Sequence, residues 1–364
     1  MDDSQPHKEV GLNKTAPKTA FVCGTPLQLL GCIDLVFHQL ETGSSAPDLY
    51  LRHDFTGSGE LAQRLSAAGI FGNVFQIGTP GGKPFAIRGN EPDTLPERPL
   101  ELLRQQIGSS YGTPENTYAK LVFTYPYDTV KALFCLNRQA QIVTFEDGIG
   151  SYFGDILAAN GGSLLPHPQR LYLWNAHMYT GSLIDDVRSL PSMAEDGAMQ
   201  LIVAEIFDIT AQSLAPYQGK RCIYLTQPID GKPERERELR ETVAALEPWR
   251  TTTVVRRHPR DNAPEAPGFT YDRENAQWEL LCLSGVIDST SVLVSSISTA
   301  QLSPKLLHDA EPTLIFTARL DGRTATPGEL SVIETIRNAY RDANRIVVPR
   351  TTGEFRAALE RSLA

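Results

Sequence analysis

The chain has 364 residues, of which 41% are hydrophobic and 21% charged, and its formal net charge is −9. At roughly 150 residues per domain this length predicts two globular domains, and the composition excludes a disordered, collagen-like or fibrous chain. The acidic balance argues against nucleic acid, whose phosphates need a basic surface, and apolar stretches such as Leu27 to Phe37 are interrupted by Gln28, Gly31 and Asp34 well short of the ~20 residues of a bilayer span.

Residues 1–18 are polar with acidic residues first and no apolar core, so they read as a disordered tail and not as a secretory signal. From Thr19 a buried strand, a GTP turn and an apolar-periodic helix form a βα opening. Strands are then predicted at Leu49 to Arg52, Asn73 to Ile77, Lys120 to Tyr125 and Gln141 to Phe145. Helices separate them at Ser58 to Ala68, Arg98 to Tyr111 and Asp128 to Leu136, with a glycine-rich loop at Gly78 to Pro84. Such alternation implies a parallel sheet covered on both faces. Asn160 to Ser213 reads as irregular and is expected to connect the domains.

A second series opens at Arg221 with CIYLTQP. The helix Glu234 to Leu246, the strand Thr252 to Arg256, the helix Glu274 to Leu283 and the strands Val286 to Asp288 and Val292 to Val294 follow. The chain ends with the helix Gln301 to His308, the strand Thr313 to Thr317, the helix Leu330 to Asp342, the strand Arg345 to Val348 and the helix Thr352 to Leu363. The expectation is therefore α/β, with two doubly wound Rossmann-like domains, 19–213 and 214–364, facing each other across a cleft. The five cysteines (Cys23, Cys32, Cys135, Cys222, Cys282) are odd in number and scattered through apolar runs, which predicts neither disulfides nor a zinc site and fits a reducing cytoplasm.

Ligands in doubly wound sheets sit beyond the carboxyl ends of the strands, so the residues there are the candidates. After the first strand, Gly24 permits a turn and Thr25 can cap the helix that Pro26 begins, forming either an ordinary capped turn or an anion site. Glu146, Asp147 and Gly148 follow the strand QIVTF, a pairing that suits a general base or hydroxyl-holding group as well as a turn cap. Arg256, Arg257, His258, Pro259 and Arg260 place positive charge around an imidazole, as phosphate handling requires. Ser295, Ser296, Ser298 and Thr299 carry a strand into a helix, where hydroxyls and free N–H groups can cap the helix or grip a phosphate. Asp230, in TQPIDG, alone reads as a turn. P-loop, nucleophile-elbow, zinc-protease and dinucleotide fingerprints are missing, since Gly148-Ile149-Gly150 has its next glycine one place late at Gly154.

The order EDG, HP, then a Ser/Thr pair, with the opening FVCGTPLQLL and the LTQPID before RRHP, resembles the lipooligosaccharide sialyltransferase family, glycosyltransferase family 52, related by motif to bacterial polysialyltransferases. The resemblance implies a GT-B fold, a CMP-sialic acid donor, and inverting transfer to a galactose-type hydroxyl of a surface glycan, with no metal and no other cofactor. It implies Asp230 or Asp147 as base, with a lean to Asp230, and His258 at the donor phosphate. Gly24, Thr25, Arg257, Pro259 and the hydroxyls Ser298 and Thr299, or alternatively Ser295 and Ser296, would bind the donor, while Glu146 and Gly148 would meet the acceptor. A homodimer and a peripheral contact with a lipid-linked acceptor at the inner face of the membrane stay compatible with it. A polysialyltransferase fits the acidic charge less well, and a CDP-glycerol type transferase would need a second histidine at a first-domain strand end. The stripe Phe355, Leu359 and Leu363 predicts a final helix packed on its own protein more than one lying on a bilayer.

Overall fold

The computed structural model describes residues 18–43, 45–52, 55, 57–78, 103, 118–153, 165–193, 196–228, 233–258, 260–274 and 276–363. Its first sheet joins β1 (Lys18–Cys23), β2 (Asp48–Arg52), β3 (Asn73–Ile77), β4 (Tyr118–Phe123), β5 (Gln141–Phe145), β6 (Arg170–Leu173) and β7 (Val187–Ser189) in the order β3-β2-β1-β4-β5-β6-β7, with every pairing parallel. The second sheet joins β8 (Cys222–Leu225), β9 (Thr253–Arg256), β10 (Thr270–Asp272), β11 (Val292–Ser295), β12 (Thr313–Phe316) and β13 (Ile346–Val347) in the order β10-β9-β8-β11-β12-β13, again all parallel. The central strands bury both faces, which is why they read as unbroken apolar runs.

Helices α1 (Pro26–Phe37), α2 (Ser58–Ala68), α3 (Asp128–Leu136) and α4 (Gly197–Phe207) accompany the first sheet. After the short α5 (Ala211–Leu214) come α6 (Pro233–Leu246), α7 (Trp278–Leu283), α8 (Thr299–His308), α9 (Pro327–Ala339) and α10 (Thr352–Leu363). Local chemistry sets several of their starts. Thr25 caps α1 ahead of Pro26, Asp196 accepts the N–H groups of Ala198 and Met199 at the head of α4, and Thr326 with Glu329 forms a reciprocal capping box for α9.

The region expected to be irregular, Asn160 to Ser213, contains two strands, the helix α4 and most of the short α5 among its described residues. β6 and β7 are too short to show a period, whereas α4, with GAMQLIVAEIF behind an aspartate cap, carried a legible helical signal. Val286 to Asp288 is a turn and not a strand, closed by the Asp288 carboxylate on the Thr290 N–H at 2.8 Å. α7 begins at Trp278, later than expected, and β10 was not anticipated. The helix expected over Arg98 to Tyr111, the glycine-rich loop beyond Gly78 and the tail before Lys18 lie outside the described residues, apart from Leu103.

Apolar packing runs through the junction of the two domains. Leu280 and Leu307 join the core beneath the first sheet, and Tyr152, Leu171, Leu173 and Met178 join that of the second. The chain leaves the first core after Ile209 and enters the second at Leu214. Phe355 and Leu359 of α10 are fully buried against β8, β11 and α6, so the apolar stripe that could have met a bilayer is enclosed by the protein itself. Among the described residues no single helix is long and apolar enough to cross a membrane.

Candidate functional site

Strand order reverses beside β1 in one sheet and beside β8 in the other, between β1 and β4 and between β8 and β11. At such switch points the loops diverge to opposite faces and open a crevice. Of the candidate residues, those following β1 and β11 stand at these switch points, and those following β5 and β9 lie at the carboxyl ends of strands one place further out in the same sheets.

In the first domain the hub is Gln28, in the opening turn of α1. Its Oε1 accepts the Gly24 N–H at 2.7 Å and the Tyr127 hydroxyl at 3.2 Å, while its Nε2 donates to Asp147 Oδ1 at 3.0 Å. A Cβ on Gly24 would meet the Tyr127 hydroxyl at 2.5 Å, so only glycine lets this ring close over the turn. Arg52, from the end of β2, stacks on the same ring, 4.3 Å from the Tyr127 ring centroid. Thr25 caps α1 by accepting the Gln28 N–H at 3.2 Å, the ordinary-turn reading of that residue. Gln28 and Tyr127 were not anticipated, although Thr25-Pro26-Leu27-Gln28 has the spacing of a capping box.

The adjacent carboxyls Glu146 and Asp147 have different environments. Glu146 is fully buried, accepting from the Tyr152 hydroxyl and from the Trp174 N–H at 3.0 Å. Desolvation pushes its pKa up to about 8 against the pull of those donors. Both donors reach Oε2 from the interior, so Glu146 braces the site from behind and does not meet an acceptor as expected. Asp147 is partly exposed, and burial also raises its pKa, opposed by the Gln28 amide. Its own N–H is held by the Ser151 hydroxyl at 2.8 Å.

The second domain supplies cationic and hydroxyl groups. Thr226, just past β8, accepts the His258 N–H at 3.0 Å and donates to Asp261, tying the ends of β8 and β9 together. His258 Nδ1 accepts the Arg260 N–H at 3.1 Å, which in the neutral ring places the imidazole proton on Nε2. Arg257 Nη2 donates to the carbonyls of Asp261 and Ala263 at 2.8 and 2.7 Å, so that edge of its guanidinium shapes the loop. Ser295 and Ser296 are buried. The first accepts from Gln227 at 3.4 Å and the second from Arg235 at 3.1 Å and from Arg323. Ser298 and Thr299 are instead the partly exposed hydroxyls, at the head of α8, where Ser298 is the N-cap and makes no side-chain capping bond. The initial N–H groups of α8 are consequently not engaged by that side chain. Asp230 and Pro259 lie outside the described residues.

The two halves of the site touch at Gly148. Gly148, with φ +89°, lies so near Thr299 that a Cβ would stand 2.8 Å from Thr299 Cγ2. Asp147 is thus carried to the head of α8 from the opposite domain. Among the described residues no group of three or more His, Cys, Asp or Glu side chains could hold a metal ion.

Two solved structures share this architecture along nearly the whole chain. The UDP-GlcNAc 2-epimerase of Neisseria meningitidis, solved with UDP-GlcNAc bound, is 11% identical over 95% of this chain and 99% of its own, with a TM-score of 0.50. The S. aureus MnaA structure with UDP is 12% identical over 95% of this chain and 88% of its own, also at 0.50. The fold is GT-B. A spinosyn rhamnosyltransferase, SpnG, aligns at 11% identity over 95% of this chain and 91% of its own with a TM-score of 0.45. No family model and no curated protein matches the sequence. These findings overturn the resemblance to the lipooligosaccharide sialyltransferases: the expected family finds no match, and the structural likeness runs to 2-epimerases. Motifs of two or three residues are too short to carry a family on their own, and a shared fold does not supply the function they suggested.

Proposed function

We propose that this chain is a sugar-nucleotide enzyme that binds its substrate between the two domains and transfers the sugar to a hydroxyl acceptor. The observation that carries this reading is the approach of Gly148 to Thr299, which sets a hydrogen-bonded carboxylate of one domain against the head of α8 in the other. The head of α8 and the Nε2–H of His258 suit the phosphate that departs from the anomeric carbon, because their dipole and donor gain strength as negative charge builds there. Asp147 takes the acceptor's proton as the new C–O bond forms and the bond to phosphate breaks, an in-line displacement with inversion. The raised pKa of Asp147 makes it a stronger base than an exposed aspartate. No metal is needed, since the phosphate charge is met by protein groups.

A second reading, epimerisation of the nucleotide sugar without an acceptor, is favoured by the 2-epimerase bound to UDP-GlcNAc among the matched structures. The test is thermal stabilisation by UMP, UDP, CMP and CDP in EDTA, followed by incubation of UDP-GlcNAc with and without hydroxyl acceptors. Stabilisation by a nucleotide in EDTA is expected, and no stabilisation by any of them would sink both readings. A changed sugar without acceptor selects epimerisation. Under either outcome His258→Ala is expected to keep its fold and lose turnover by about a hundred-fold or more; undiminished turnover would remove His258 from the mechanism.

A further inference from the structure

Residues of both domains line an open cavity of about 460 Å³, within the range of small-ligand sites. Its first-domain wall begins at Pro26, the residue after Thr25, and includes Leu61 and Arg64 of α2. Its second-domain wall, formed by Glu274, Ala276 and Gln277, adjoins Trp278, whose indole N–H donates to the carbonyl of Ala300 in the first turn of α8 at 2.5 Å. The lining thus adjoins in sequence the turn after β1 and, through Trp278, reaches the first turn of α8.

We propose that this cavity is the subsite for an uncharged, hydroxyl-rich sugar, the acceptor of the transfer reaction inferred above, on which this assignment rests. Three features select that ligand class. The polar lining is built of planar groups with several donors or acceptors each: Gln212 presents its amide to both Glu274 oxygens at 3.2 Å, and Gln277 and Asp208 also line the cavity. Hydroxyl groups satisfy such mixed donors and acceptors. Phe207, Leu61 and Pro26 provide an apolar surface for the C–H face of a pyranose ring. The charge is unfavourable to an anion: Arg64 is already engaged by the Ile206 carbonyl at 2.6 Å and stands 3.9 Å from Asp208, so Glu274 tips the wall negative. Nucleotides and acidic sugars are therefore turned away from this side of the cleft.

The Leu61 methyls report on the cavity from within. Methyl-labelled protein would be titrated with millimolar methyl galactoside, methyl glucoside, methyl N-acetylglucosaminide and methyl glucuronide, with nucleotide present, and each sample's thermal stabilisation by nucleotide recorded separately. At least one neutral glycoside is expected to shift the Leu61 methyls, the glucuronide to leave them unmoved, and the combined Gln212→Ala and Glu274→Ala variant to lose the shift. Both positions are solvent-facing, so the variant is expected to melt as the parent does. The assignment is overturned if no neutral glycoside moves Leu61, if the glucuronide moves it equally, or if the shift survives the double substitution. A Leu61 response without nucleotide stabilisation would strike the proposed function and leave the sugar subsite standing, whereas the reverse pattern would strike the subsite alone.

Discussion

Gly148 is the residue at which backbone conformation and domain closure meet. Its φ of +89° and ψ of −166° fall in a region essentially reserved for glycine, and a methyl group there would also press on Thr299. Gly148→Ala is expected to destabilise the protein by about 1–3 kcal/mol in denaturant titration. Gly150→Ala, in open space two residues on, is the control and is expected to change little. Glu146 adds a pH dependence. In the folded protein it keeps its proton until about pH 8, whereas in the unfolded chain it ionises near 4.5. Between those values the unfolded state binds fewer protons, so stability falls as pH rises, for this group by on the order of 5 kcal/mol across the window. Glu146→Gln removes that loss, and its stability relative to the parent is expected to rise steadily from pH 5 to pH 8. A difference independent of pH would show that the carboxyl is not held neutral.

Among the elements, α10 gives the clearest test of an alternative. Its amphipathic stripe is compatible in isolation with a membrane surface or with a core, and the buried Phe355 and Leu359 decide for the core. Phe355→Ala is expected to cost about 3–5 kcal/mol through the cavity it leaves. A neutral melting temperature combined with lost vesicle binding would restore the membrane role. Helix α8 gains its significance from position. It begins beyond β11 at the switch point of the second sheet, so its N-terminal dipole faces the cleft, and the same helix elsewhere would be only a connector.

The whole molecule is two parallel sheets joined by continuous apolar packing, with Leu280 and Leu307 inside one core and Tyr152, Leu171 and Leu173 inside the other. Two domains so interlocked are expected to unfold in a single calorimetric transition with matching van't Hoff and calorimetric enthalpies, and two resolved transitions would contradict that coupling. The α/β class, the two series and most of their elements were legible in the sequence, because buried parallel strands and amphipathic helices write their periods into consecutive residues. Asn73–Ile77, Gln141–Phe145, Ser58–Ala68 and Asp128–Leu136 match the reading residue for residue. The strand ends bearing Asp147, His258 and Thr299 were legible for the same reason, since turn chemistry is local. The roles of neighbouring residues were not. Nothing in the order Glu146-Asp147 says which carboxylate Tyr152 and Trp174 bury, and nothing in RRHPR says that Arg257 will fold back on its own loop. Gln28 reaches Asp147 across 119 positions, and Gly148 meets Thr299 from the other domain. Local sequence sets secondary structure because helix and turn hydrogen bonds close within a few residues. A cleft is made by contacts between distant segments, so its chemistry belongs to the tertiary fold.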